Sequence, residues 1–252
     1  MRAVALSADG RKLLSVEEGP GAKLRGRFLA PPAWTESAPA VELKYDARSC
    51  GDADQGGEPG STAKRIFAAS WTDVGPRVAG VDRKGCVLIW GDDGIPLPAM
   101  MVSGSSAESG KQTTAVAVSP DLRRLMLGSE DGAVSIWERQ TAPDLEPLRF
   151  IGRKRLHGDL VRAIAFHPEG RFAVSMSEDG QAWLWDAKDA QPVALLGSHP
   201  ASIRWAAFRP GGVEVVTGGA DGWIRAWATR TTVDDPQRLV NTLKLWLGEP
   251  AK

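Results

Sequence analysis

Histidine, cysteine and tyrosine are scarce in this chain: three, two and one among 252 residues. Cys50 and Cys86 do not stand at a metal-ligand or redox spacing, so neither a disulfide framework nor a thiol-based site is expected, and a reducing cytoplasm is the simplest compartment. Three histidines are too few to suggest a zinc site. Charge of either sign is not in excess, since Lys+Arg and Asp+Glu both number 31. A nucleic-acid binder usually carries a basic surplus, and the total has none, so a nucleic-acid partner is not expected. No apolar run approaches the ~18 residues of a membrane-spanning helix, and Met1 to Leu6 is too short for a signal-peptide core. The expectation is a soluble, intracellular chain, large enough for one all-β domain with a substantial core.

What the chain does contain is clearest from Leu156 to Asp186. VRAIAF (Val161 to Phe166) has the short, apolar composition of a buried strand. His167-Pro168-Glu169-Gly170 breaks it, Phe172 to Met176 is a second apolar run, and Glu178-Asp179-Gly180 is a hairpin-type turn before Trp183, Leu184 and Trp185. Three short antiparallel strands in so few residues cannot bury both faces of their sheet alone.

The segment returns. Moved forward 42 positions, Val161, Phe166, Pro168, Gly170, Asp179, Gly180 and Trp185 become Ile203, Phe208, Pro210, Gly212, Asp221, Gly222 and Trp227. Moved back 48, most become Thr113, Val118, Pro120, Asp131, Gly132 and Trp137. Moved back 95, five of them fall on Ile66, Trp71, Gly75, Gly85 and Trp90. Four-stranded propeller blades repeat at about 40–45 residues, and at these positions the pattern resembles the WD-40 repeat family. The resemblance runs over residues 62–229, with a degenerate copy at 1–18. It implies an all-β chain: a β-propeller of four-stranded antiparallel blades, about five in number and forming a partial or truncated ring.

The blades are expected at about 1–61, 62–112, 113–156, 157–198 and 199–233. Ala3 to Ser15 is similar to Ala163 to Ser175, so the chain opens inside the pattern, and the position aligned with Trp185 is Arg25. Val41 to Tyr45 alternates like an outer strand, whereas 49–64 and 103–112 are polar, glycine- or serine-rich loops. Residues 234–252 carry either a helix, capped by Asp235 with Pro236 at its first position, or an outer strand through Leu243, Leu245 and Leu247.

In the resembled family, a histidine, a second-strand hydroxyl, the turn aspartate and the third-strand tryptophan form a buried hydrogen-bond chain. His157, Ser175, Asp179 and Trp185 occupy those positions in blade four, and His199, Thr217, Asp221 and Trp227 in blade five. The buried carboxylate needs donors, which the imidazole and the turn supply. These residue types also match a Ser-His-Asp triad, but their repetition at a structural period argues for scaffolding. Blade three keeps Asp131 and Trp137, with Leu127 and Ser109 at the hydroxyl and histidine positions. Trp183, Trp205 and Trp223 are expected in the core, because blades are covered on both faces; the alternative is that one of them is an exposed partner anchor. The glycines lie in turns, outside any phosphate-loop context.

Loops before first strands and turns between second and third strands meet on one face of a propeller. That face would carry Arg162, Arg204, Glu130 and Glu178 as a candidate partner surface. The resemblance implies a non-enzymatic protein–protein scaffold without a cofactor, able to bind an acidic segment. Self-association through an incomplete ring is a further expectation. The alternatives are the C-terminal interaction module of a longer enzyme or signalling protein, or a small propeller that binds or hydrolyses glycans.

Overall fold

Strands of two to eight residues, separated by Gly-, Asp- and Pro-bearing turns, pair only with near neighbours in sequence, and this locality builds five separate antiparallel sheets. The computed structural model describes residues 111–139, 148–209 and 211–229, together with the strands that precede them. The first sheet comprises β1 (Ala3–Leu6), β2 (Leu13–Glu18) and β3 (Leu24–Ala30), with the short β4 (Thr35–Glu36) and β5 (Val41–Glu42) both on β3. The second runs β6 (Ile66–Thr72), β7 (Gly75–Val81), β8 (Cys86–Trp90), β9 (Met100–Met101). The third runs β10 (Thr113–Val118), β11 (Arg124–Ser129), β12 (Ala133–Glu138), β13 (Arg149–Arg155). The fourth runs β14 (Val161–Phe166), β15 (Phe172–Ser177), β16 (Gln181–Asp186), β17 (Gln191–Ser198). The fifth holds β18 (Ile203–Phe208), β19 (Glu214–Gly219) and β20 (Ile224–Ala228).

The first strands of successive sheets pack side by side in the order β1, β6, β10, β14, β18. That is the arrangement of propeller blades around an axis. β18 does not pack on β1 as neighbouring blades do, so the five blades form an open arc rather than a closed ring. All described elements are strands. The helix or strand expected at 234–252, the loop at 49–64 and most of that at 103–112 lie outside the described residues.

The core lies between blades, where the facing apolar sides of neighbouring sheets meet. Val81 and Ile89 of blade two meet Val116, Leu125 and Trp137 of blade three. Ala115, Met126, Val134 and Ile136 on its other face meet Val161, Ala173 and Trp185 of blade four. Val174, Met176, Ala182 and Leu184 then meet Ile203 and Val215, with Phe208 and Trp227 packed beside them.

The structure corrects two sequence readings. In blade four Ala173 pairs with Trp185, whereas in blade one the aligned Leu13 pairs with Leu29, so Leu29 and not Arg25 stands at the tryptophan position. The β2–β3 hairpin extends two pairs beyond Val16↔Gly26, to Glu17↔Arg25 and Glu18↔Leu24, and a gapless shift cannot follow that insertion. The second correction concerns the tryptophans. Trp223 is 67% exposed and Trp205 45% exposed, whereas Trp183 is half-buried and packs against the core between blades three and four as expected, its indole N–H donating to Gln181 Oε1 at 3.0 Å. Among the described residues no sheet covers the face of blade five that bears Trp205 and Ile224, which is why both stand largely in solvent.

Candidate interaction face and its supporting network

The turn between second and third strands demands a residue with positive φ, and Gly132, Gly180 and Gly222 supply it at φ +80, +79 and +80. The aspartate one position earlier caps that turn. In blade four, Asp179 Oδ1 accepts the Gln181 N–H at 2.8 Å, and Oδ2 accepts the Gly158 N–H at 2.8 Å. One carboxylate thus ties the turn to the loop that enters the blade. His157, from that loop, lies with Nδ1 3.3 Å from Asp179 Oδ2 but without the alignment of a good hydrogen bond. Its Nε2 is 2.7 Å from Ser175 Oγ, which also accepts the Trp185 indole N–H at 2.8 Å. The carboxylate beside Nδ1 favours the tautomer with its proton there, leaving Nε2 to accept the serine hydroxyl. Burial holds the imidazole below its ordinary pKa, against the opposing pull of Asp179.

Blade five repeats the chain with tighter geometry. His199 Nδ1 is 3.0 Å from Asp221 Oδ1, Nε2 is 2.8 Å from Thr217 Oγ1, and Trp227 Nε1 donates to that hydroxyl at 2.8 Å. Arg225 adds a member not foreseen from the sequence: Nη1 donates to Asp221 Oδ2 at 2.6 Å and also lies against His199. Although burial opposes ionisation, the Arg225 and His199 bonds hold the Asp221 carboxyl well below the usual carboxylate range. Ser175 and Thr217 are fully buried, so neither hydroxyl opens to a substrate.

Blade three builds the same joint from other parts. Leu127 is buried where the other blades have a hydroxyl, and the Trp137 indole N–H instead donates to Ser135 Oγ on its own strand, at 3.3 Å. Arg153 reaches from the outer strand β13, and its Nη2 donates to Asp131 Oδ2 at 2.6 Å. Burial pushes the Asp131 pKa up, but the nearby Ser129 side chain, Arg153 and the Ala133 N–H leave it below the ordinary value. Ser135 is paired with Arg153 across β12 and β13, a neighbour relation that strand alignment within one repeat does not expose.

The network holds one end of the sheets of blades three, four and five, where the Glu130, Glu178 and Ala220 N–H groups donate to the Gln112, Leu160 and Ser202 carbonyls of the entering loops. At that end the inner strands of blades three, four and five have a bulge, between Thr113 and Ala115, Val161 and Ala163, and Ile203 and Trp205. The extra residues are Thr114, Arg162 and Arg204. A bulged residue leaves the ladder and its side chain is re-aimed. Thr114 spends its hydroxyl on the Val161 carbonyl of the next blade, at 2.7 Å. Arg162 forms an ion pair with Glu178. Arg204 is exposed and forms no ion pair with a described residue, since the position matching Glu178 is Ala220. Glu130 is likewise exposed and stands apart from the Arg162–Glu178 pair. Among the described residues no cluster of His, Cys, Asp and Glu is arranged to hold a metal.

Residues 100–138, 149–186 and 190–228 match the family model described as WD domain, G-beta repeat. Each matched stretch begins on an outer strand (β9, β13 or β17) and continues through the first three strands of the next sheet. A repeat therefore straddles two blades and stitches them together covalently. Among curated proteins none matches the chain.

Proposed function

We propose, from the premise that the chain belongs to the WD-40 repeat family, that its network-bearing end docks a protein partner through an acidic segment of that partner. WD repeats serve as protein–protein interaction scaffolds in general, and the described residues offer no exposed hydroxyl–imidazole pair for catalysis. The observation that carries the finer reading is Arg204: a bulged, exposed guanidinium with no described counter-charge, next to the exposed Trp205 and in the same blade as the exposed Trp223. Arginine and tryptophan are the side chains over-represented at energetic centres of interfaces, and the planar guanidinium suits a carboxylate. Arg162, already neutralised by Glu178, supplies orientation more than net charge. The scarcity of cysteine supports a cytoplasmic setting, and neither a membrane nor a nucleic acid is part of this reading.

The test is affinity capture with wild type and with the double variant Arg162→Glu, Arg204→Glu. The expected result is loss of the captured partner with thermal stability nearly unchanged, and recovery of capture when acidic residues of that partner are changed to lysine. Retention of the same partner by the double variant would overturn the docking face.

A further inference from the structure

Charge balances over the whole chain but not blade by blade. Blade three, over 111–139 and 148–156, holds eight basic and four acidic side chains, whereas blade four, over 157–198, holds three and six. The surplus of blade three gathers on its outer strand, where Arg149, Arg153, Lys154 and Arg155 all belong to β13. The outer strand of blade four, β17, has no charged residue at all. A negatively charged segment is therefore drawn to the rim of blade three and not to that of its neighbour.

That rim is also an open edge. β13 pairs with β12 on one side, and no described strand lies on the other, so its outward N–H and C=O groups are free to pair. The register shifts between Ile136 and Trp137, which leaves Gly152–Arg155 as a regular run against Ile136–Ala133. Cations on an edge keep it from pairing with strands like itself. The same charges favour a strand of opposite sign, so the protection is selective.

The side chains specify that strand further. Arg149 is engaged with Glu138 and Arg153 with Asp131. Lys154 and Arg155 are exposed and form no ion pair with a described residue. They lie on opposite faces of the sheet: Lys154 is paired with Val134, which faces blade four, and Arg155 with the next residue, Ala133. A strand added to this edge alternates in the same way, so its carboxylates meet both cations only if consecutive residues are acidic. Such a run repels itself, stays extended and has no fold of its own to lose.

We infer that the free edge of β13, over Gly152–Arg155, takes up a contiguous acidic segment of a partner protein as an added strand. The surface is on the fourth strand of blade three, apart from Arg204 on the first strand of blade five, and the inference does not rest on the docking end proposed above.

The probe is a labelled, end-capped peptide of about eight alternating Asp and Glu residues, followed by fluorescence anisotropy on the full chain. Binding is expected to weaken as salt is raised, and amide exchange across Gly152–Arg155 to slow when the peptide is added. Lys154→Glu with Arg155→Glu should weaken binding at least about tenfold, with an unchanged thermal midpoint because both sites are exposed. Lys154→Gln with Arg155→Gln gives the same reading, with a smaller loss, should the reversed pair fold poorly. A longer peptide of equal charge, with Glu at every second position only, reaches one face and should bind more weakly. The fully N-methylated Asp-Glu peptide keeps its charge but has no backbone donors, and it should not bind. Equal binding by either of these two peptides, or no binding by the first, would overturn the inference. The variant Arg162→Glu, Arg204→Glu should bind the probe as wild type does. Loss in that variant, with none in the β13 variants, would place the peptide at the network-bearing end and overturn the inference while leaving that docking end standing. An oligouridylate of equal charge that binds more tightly than the peptide, and depends equally on Lys154 and Arg155, would assign the edge to nucleic acid and overturn it as well.

Discussion

Arg153 donates to Asp131 at 2.6 Å from the fourth strand of blade three, so a cation on the outer strand does there what an imidazole on the entering loop does in blades four and five. The carboxylate keeps its place at the turn while its partner changes chemistry and direction. A charged guanidinium also removes the pH dependence that an imidazole brings, because arginine stays protonated.

A double-mutant cycle on Arg153→Met and Asp131→Asn isolates that pair. The side chains are partly exposed, so solvent screening reduces the expected coupling to about 0.5–1 kcal/mol. Urea midpoints of the four proteins measure it. Additive effects would mean that the short contact contributes no net stability.

Asp179→Ala removes the acceptor for the Gly158 and Gln181 N–H groups and the carboxylate that lies beside His157 Nδ1. Loss of about 1–3 kcal/mol is expected. Asp189→Ala, at an exposed position between β16 and β17, should cost less than about 0.5 kcal/mol. Equal denaturant midpoints for the two variants would contradict the assignment of Asp179 as a structural acceptor.

The depressed pKa of His157 gives stability a defined pH slope. The unfolded chain takes up this proton first, near the ordinary histidine value of about 6.5, while the folded chain resists it. Stability from this group is therefore complete above that value and is lost as pH falls through it towards the folded value. Unfolding midpoints at about pH 7.5 and about pH 5 should differ in that sense, and His157→Gln should flatten the difference even though it lowers both midpoints. The lowered Asp131 and Asp221 act only below the ordinary carboxylate value, where their stabilisation disappears as pH falls.

Gly180 and Gly222 share a backbone conformation but not surroundings. A Cβ on Gly180 would collide with the His199 carbonyl of the next blade, whereas one on Gly222 would meet nothing within 4 Å. Gly222→Ala should cost the left-handed backbone alone, about 1–2 kcal/mol. Gly180→Ala should cost clearly more, since backbone must move as well. Thermal melts of the two variants separate the contributions, and similar losses would indicate that the blade-four joint yields easily.

The repeated hairpins were legible because a shift of 42 carries turn glycines, aspartates and tryptophans onto one another while strand lengths are conserved. Where a strand pair lengthens, as at β2–β3, the same comparison lands on Arg25 instead of Leu29. It also says what a residue resembles but not what lies across from it. Trp205 aligns with the packed Ala163, yet no described sheet stands opposite to bury it. Arg153 was illegible for a related reason: its partnership with Asp131 runs between a third-strand turn and an outer strand from the following repeat. One signal was available, since blade three, which lacks a histidine before its first strand, has a basic run, Arg153-Lys154-Arg155, on its outer strand.

The inner-strand bulges have a wider meaning. Thr114, Arg162 and Arg204 stand at equivalent places outside the ladder, and they differ in chemistry and in what they meet: Thr114 bonds the next blade, Arg162 pairs with Glu178, and Arg204 has no described ion-pair partner. A residue excused from pairing and from packing can be exchanged with little effect on folding. Blades four and five therefore each carry one site at which selection can alter what the molecule greets without renegotiating how it holds together, and blade three spends the equivalent site on its neighbour. Two such sites, side by side along the arc, act like a short written label on a frame whose remaining letters are dictated by stability.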